Sequence, residues 1–126
     1  MDKQTVQQIV DIIMNMDDGA KIQVLGPVVR SKKGTFKDVL TSIASEGFIR
    51  VRVDGSIYNL SDVPSLEKNK KHQIEVVIDR LKISPSVKER LTQSLELALK
   101  IGNGLVIIDE IGKKEHLYSE HFSCPK

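Results

Sequence analysis

Tryptophan is absent, and aromatic residues make up only 4% of the 126 residues. Stacking platforms for unpaired bases are therefore scarce, which argues against a reader of single-stranded nucleic acid. Cysteine occurs once, at Cys124, so no internal disulfide can form. That usage fits a reducing compartment such as the cytoplasm. No run of about 18 apolar residues exists, which leaves no candidate for a membrane-spanning helix. The opening M-D-K-Q-T-V-Q-Q lacks the basic-then-apolar layout of a secretory leader, and none is expected. A strong excess of one charge is missing too. The formal net charge is +2, whereas a domain that lives on phosphate contacts is usually more basic. What remains is an ordinary globular composition, 40% hydrophobic and 29% charged, of a size to fold as one domain around one core.

No internal repeat or low-complexity tract interrupts the chain. Thr5 caps a predicted helix whose apolar residues Val6, Ile9, Val10, Ile13 and Met14 form one stripe. K-I-Q-V-L-G-P-V-V (21–29) reads as a strand broken at Gly26-Pro27, since proline donates no ladder hydrogen bond. R-S-K-K-G (30–34) reads as a basic loop. Thr35 and Asp38 suggest a capping box for a second helix carrying Phe36, Val39, Leu40 and Ile43. G-F-I-R-V-R-V-D-G-S-I-Y-N-L (47–60) is a predicted hairpin with Asp54-Gly55 at its corner. Its odd positions Ile49, Val51 and Val53 can face a core, which puts Arg50 and Arg52 together on the other face. A polar connection, 61–72, leads to the β-branched strand Q-I-E-V-V-I-D-R-L (73–81). Ser84-Pro85 opens a third helix running to about Ile101, with Val87, Leu91, Leu95 and Ala98 inward. L-V-I-I-D-E-I (105–111) and E-H-L-Y-S-E-H-F (115–122) complete an antiparallel pair. This order predicts an α+β fold, a mostly antiparallel sheet with about three helices packed on it.

Catalytic constellations are weak. L-V-I-I-D-E has the shape of a nucleotide-hydrolase metal strand, but such a strand needs a phosphate loop, G-x-x-x-x-G-K-S/T, and none is present. S-K-K-G-T (31–35) lacks both the spacing and the first glycine. The blander reading is a buried strand ending in acids at a turn. His116 and His121 fall on opposite faces of a strand, and with Cys124 and His72 they make a poor zinc set, because a structural site wants four ligands at tight spacing. No G-x-S-x-G elbow occurs, and Asp54 reads as a turn residue. The residues give no support for an enzyme.

Charge on sheet faces and loops is left. Lys32, Lys33, Lys70 and Lys71 sit in predicted loops, where lysines are usually just solvated. Arginines on strands are different, because a planar guanidinium pairs bidentately with carboxylates and is enriched at interface hot spots. Arg50 and Arg52 share a strand face. Arg80 continues the even-numbered apolar face Ile74, Val76, Ile78 to the end of its strand. There it either rims a protein interface or pairs with an internal acid such as Glu75. The residues also admit a rival from another class, a basic nucleic-acid-binding module in which the loop lysines track phosphates.

Several blocks carry a family resemblance: P-V-V-R-S-K-K-G (27–34), G-F-I-R-V-R-V-D-G (47–55), K-N-K-K-H-Q-I-E-V-V-I-D-R-L (68–81), R-L-T-Q-S-L-E-L-A-L-K (90–100) and L-Y-S-E-H-F-S-C-P (117–125). Through them nearly the whole chain resembles the UvrB-binding domain of the UvrA family, the damage-sensing ATPases of bacterial nucleotide excision repair. The resemblance implies a single interaction domain, residues 1–126, excised from a longer chain. It implies UvrB as partner, and it extends to the transcription-repair coupling factor, which carries a UvrB-like module. DNA would be met only through the longer protein. At the matching positions Arg50 and Arg80 would meet acidic groups of the partner, with Arg52 a lesser candidate and Lys32, Lys33, Lys70 and Lys71 steering the encounter. ATP and zinc are implied only for the longer protein, so no cofactor is expected here. S-C-P-K at the end resembles the start of a C-P-x-C-G zinc half-site, beginning within 121–126, in which Cys124 would be the first ligand.

Overall fold

The computed structural model describes residues 3–120. Its elements run β1 (Lys3–Gln4), α1 (Val6–Met14), β2 (Lys21–Lys33), α2 (Lys37–Ser45), β3 (Arg50–Val53), β4 (Ser56–Asn59), β5 (Lys71–Lys82), α3 (Lys88–Ile101), β6 (Leu105–Glu110) and β7 (Glu115–Glu120). One sheet of seven strands has the order β1-β7-β6-β2-β5-β3-β4. Every neighbouring pair is antiparallel except β1 with β7. The fold is thus α+β, as expected, with the two-residue β1 added at the edge.

The long strands β2 and β5 form the spine. β6 pairs with the first part of β2, at Ile22 to Leu25, and β3 pairs with the first part of β5, at Ile74 to Val76. The two short strands therefore flank opposite ends of the spine. All three helices lie on one face. At one end α1 and α3 cover Ile22, Val24, Leu81, Val106 and Ile108; at the other, α2 residues cover Val29, Val51, Val53, Ile74 and Val76. Each fully buried aliphatic side chain contributes about 1.5–3 kcal/mol of transfer free energy, so these two clusters supply the main drive to fold.

Local chemistry explains the elements, and in places corrects the sequence reading. Thr5 caps α1 as expected. Its hydroxyl oxygen accepts from the Gln8 N–H and its own N–H donates to the Gln8 side chain, a full capping box. At the hairpin corner Asp54 and Gly55 both adopt positive φ, 50° and 89°, the pattern of a type I′ turn. By contrast β2 is not broken at Gly26-Pro27. Register shifts on either side of Pro27 absorb the distortion, and β6 has already stopped pairing at Leu25, so less of a ladder is spoiled there. Gly26 lets α3 come close: a Cβ there would stand 3.2 Å from the Ala98 carbonyl oxygen. Residues 30–33 extend this strand rather than forming a loop. α2 has no capping box; Phe36 is its cap residue, in the left-handed conformation, with no side-chain bond. α3 starts at Lys88 instead of Ser84-Pro85. Ile49 does not face the core. Gly47, with positive φ, brings the chain in from α2 outside the pleat, and β3 begins only at Arg50.

Candidate partner-binding surface

A single bulge decides which way Arg80 points. Val24 and Leu25 are consecutive on β2, but they pair with Asp79 and Val77 on β5, so Ile78 is an extra residue. Up to Val76 the even positions of β5 face the helices. Beyond Ile78 the parity is reversed, and Asp79 turns to α3 while Arg80 turns to the helix-free face. Arg80 does not continue the apolar face of Ile74 and Val76, as alternation alone predicts. Nor does it pair with an acid among the described residues. Its Nε donates to Gln23 Oε1 at 3.0 Å, and Gln23 in turn donates to Asp109 at 2.9 Å.

Arg52 lies on the same helix-free face but is already occupied. Its Nε donates to Glu75 Oε1 at 2.8 Å, and its two terminal nitrogens reach both oxygens of Glu115 at 2.8 and 3.3 Å. Burial is the largest influence on Glu75. With the nearby Glu115 and Asp54 charges, it holds this carboxyl above the usual carboxylate range against the pull of Arg52. The Arg52–Glu115 contact also reports the shape of the sheet. β3 and β7 are four strand spacings apart, about 19 Å if the sheet were flat. Two side chains meet across that span only because the sheet curls. The curl also explains Leu25 and Ile107, which are buried yet belong to neither helix-side cluster.

Arg50 and Arg80 are brought together. They line one cleft of about 410 Å³ at the place where β3 begins and β5 runs on uncovered. Arg90 of α3 reaches the same cleft, but Asp79 holds it by two bonds, 2.8 and 2.9 Å. The Asp79 carboxylate also accepts from Ser94 and from the Arg80 N–H. Although burial opposes this, those bonds keep it below the usual carboxylate range. Ladder bonds alternate along an antiparallel pair, and Ile83 donates to Ala20. The Arg80 N–H consequently points outward, and Asp79 takes it. One outward donor on the bare edge of β5 is thus taken by the chain's own side chain, which weakens that edge as a template for an added strand. Sequence reasoning missed Gln23, Asp79, Arg90 and Glu115, and it offered Glu75 to Arg80 rather than to Arg52. One signal was available: Glu75 inside I-E-V-V-I marks a carboxylate that needs a cation.

The candidate lysines are elsewhere. Lys32 faces His72 across the ladder and Lys33 faces Lys71, at the far end of the spine. Lys71 is nine positions from Arg80, roughly 25–30 Å along β5. Lys70 is paired with Glu67 at 2.7 Å. Beside them the His72 ring makes two bonds, Nδ1 to Asp54 at 2.7 Å and Nε2 to the Glu67 carbonyl at 2.8 Å. Both partners are acceptors, so both ring nitrogens carry protons in the satisfied state. The Asp54 bond, then the Glu67 bond, raise the His72 pKa above 6.5. A raised value means that this contribution to stability is complete below the unfolded value and is lost as pH rises through the folded one. Thermal melts from about pH 6 to about pH 9 should therefore show a larger fall in Tm for the wild type than for His72→Gln. Equal pH slopes would show that the ring is not held as the cation.

Among the described residues no group of His, Cys, Asp and Glu is placed to hold a metal ion, and none of the helices is long and apolar enough to cross a membrane. His121 and Cys124, and with them the expected zinc half-site, lie outside the described residues.

Comparison with known proteins adds a family to this geometry. Residues 4–112 match the family model described as the UvrA interaction domain. The chain is 50% identical over 122 residues to the UvrABC system protein A of Bacillus subtilis (strain 168), covering 97% of this chain and 13% of that protein. It is 49% identical over 124 residues to that of Clostridium acetobutylicum, covering 98% of this chain and 13% of the relative. With that of Listeria monocytogenes serotype 4b (strain F2365) it shares 44% identity over 122 residues. The chain thus spans 13% of the length of these relatives.

Proposed function

Because the chain belongs to the UvrA interaction domain family, we propose that it docks UvrB, the helicase-like damage-verification subunit, and does no catalysis of its own. In this reading it recruits UvrB to the damage sensor, and the UvrB-like module of the transcription-repair coupling factor docks in the same way. One observation carries it. Of the four arginines around β3, β5 and the start of α3, Arg52 and Arg90 are neutralised by internal carboxylates, while Arg50 and Arg80 have none among the described residues. The two unneutralised ones share the cleft. That arrangement fits a surface that supplies the cations and leaves the carboxylates to a partner. Lys32, Lys33 and Lys71, at the other end of the spine, would affect encounter rate and salt sensitivity.

Calorimetric titration against an isolated UvrB docking domain tests this. Wild type should bind, and Arg50→Glu should bind at least about thirtyfold more weakly while melting at the same temperature. The rival reading, a module for DNA phosphates, gains if the wild type ignores UvrB but binds duplex DNA, with loss on Lys33→Glu and Lys71→Glu.

A further inference from the structure

Ile49 stands out on the surface next to the cleft. It is 70% exposed, more than any other large hydrophobic side chain among the described residues. It lines the arginine cleft on one side and a second hollow, formed with Ala44, Asn59 and Leu60, on the other. The side chain is therefore a ridge between two depressions. Its backbone is fixed: the Ile49 carbonyl accepts from the Leu60 N–H at 2.8 Å, and Arg50 directly after it starts β3. By pleat alternation it belongs inside with Val51 and Val53; instead the chain spends an isoleucine on solvent.

We propose that Ile49 is the apolar anchor of the docking surface, entering an apolar hollow on a protein partner whose carboxylates engage Arg50 and Arg80. This rests on the docking reading above and names what the partner must present: an apolar recess rimmed by acids. The charge of the cleft argues for that occupant: Arg90 is paired with Asp79, but Arg50 and Arg80 have no carboxylate partner among the described residues, and Val77 and Ile78 line the cleft beside them. Arginine is enriched at interface hot spots, and an apolar residue standing beside it fits an apolar centre with a polar rim. A phosphate backbone would gain nothing from it. Because Asp79 takes the outward Arg80 N–H of the neighbouring strand edge, recognition through these side chains is favoured over an added strand.

The test is calorimetry of wild type, Ile49→Ser, Ile49→Leu and Arg50→Glu against the isolated UvrB docking domain, at low and moderate salt. Ile49→Ser should weaken binding about tenfold or more with an unchanged salt slope, and should make the heat-capacity change of binding less negative. Ile49→Leu should stay close to wild type. The side chain is exposed, so the melting temperature should not fall, and a matching melt confirms that lost binding is not lost fold. If wild type binds and Ile49→Ser binds within twofold of it, the anchor is wrong and the docking reading survives on its arginines. If wild type itself does not bind, both fall together.

Discussion

Arg52→Ala should lower the melting temperature by roughly 12–20 °C. The side chain is 11% exposed and holds Glu75, which is 4% exposed, as well as Glu115. Deleting one member of such a group leaves a buried carboxylate without a cation, which costs about 3–5 kcal/mol. For a domain of this size each kcal/mol is about 4 °C in Tm. Most of that cost is the stranded Glu75 rather than lost attraction, so adding Glu75→Gln to Arg52→Ala should restore a large part of the stability. The deficit should also depend on pH. Burial already pushes Glu75 above the usual carboxylate range, and without Arg52 it moves further in the same direction. A carboxyl whose folded value is raised binds its proton more tightly when folded, so the stability of the variant falls as pH rises. Melts followed by circular dichroism near pH 5 and pH 8 should show the larger gap at the higher value. A gap under about 1 kcal/mol at both would mean that water reaches Glu75 and that the group behaves as a surface ion pair.

This also separates the arginines by role. Arg50 and Arg52 are two positions apart on one face of β3, and strand alternation alone treats them alike. In the fold, Arg52 has Glu75 directly across the ladder and Glu115 brought over by the curl, so its charge is spent on holding the curled sheet. Arg50 comes two positions earlier, one residue beyond the last β3–β5 pair at Val51–Val76 and next to the bulge, and it makes no ion pair among the described residues. On this account Arg52→Ala weakens docking only through the fold, whereas Arg50→Glu weakens docking and leaves the fold alone.

Much of the fold was legible because local signals and partners agreed. Thr5 with the stripe Ile9, Val10, Ile13 gave α1, and Asp54-Gly55 gave the hairpin corner, because each rests on contacts within a few residues. What was not legible depends on a neighbouring strand. V-I-D-R contains no glycine to mark the bulge at Ile78, and only the register against Val24 and Leu25 shows that a residue is extra. That one residue put Arg80 on the opposite face from the one alternation assigns. Pro27 stopped no strand because β6 ends before it, a length the β2 sequence does not contain. Ile49 failed for a related reason: alternation holds only inside a strand, and β3 begins one residue later. The arginine pair was therefore foreseen as residues but not as a cleft.

Gly102→Ala should cost about 3 kcal/mol or more, near the upper end of what overpacking a dense site costs, and lower Tm by about 12 °C. The reason is space, not backbone freedom. Gly102 closes α3 at φ −84°, a value any residue adopts. A Cβ there would run into the carbonyl oxygen of Leu105, and would lie 2.9 Å from Pro27 Cδ and 3.1 Å from the Ala98 carbonyl oxygen. None of these can yield cheaply. Ala98 accepts the Gly102 N–H at 2.7 Å, Leu105 opens β6 opposite Ser119, and Pro27 is held in β2 between two register shifts. The methyl would have to prise apart a tight point where α3, β2 and β6 meet. Gly55→Ala is the informative control. It keeps a positive φ of 89° but has nothing within 4 Å of the new carbon, so it should cost only the backbone penalty, about 1–2 kcal/mol. If Gly102→Ala proves no worse than Gly55→Ala, the turn into β6 is soft and α3 is not pinned there. If it is clearly worse while still binding UvrB at a temperature where it is folded, the seam under α3 and the arginine cleft are separable. The sheet then carries two independent tasks: one end of the spine keeps it packed, and the bulged edge presents Ile49, Arg50 and Arg80.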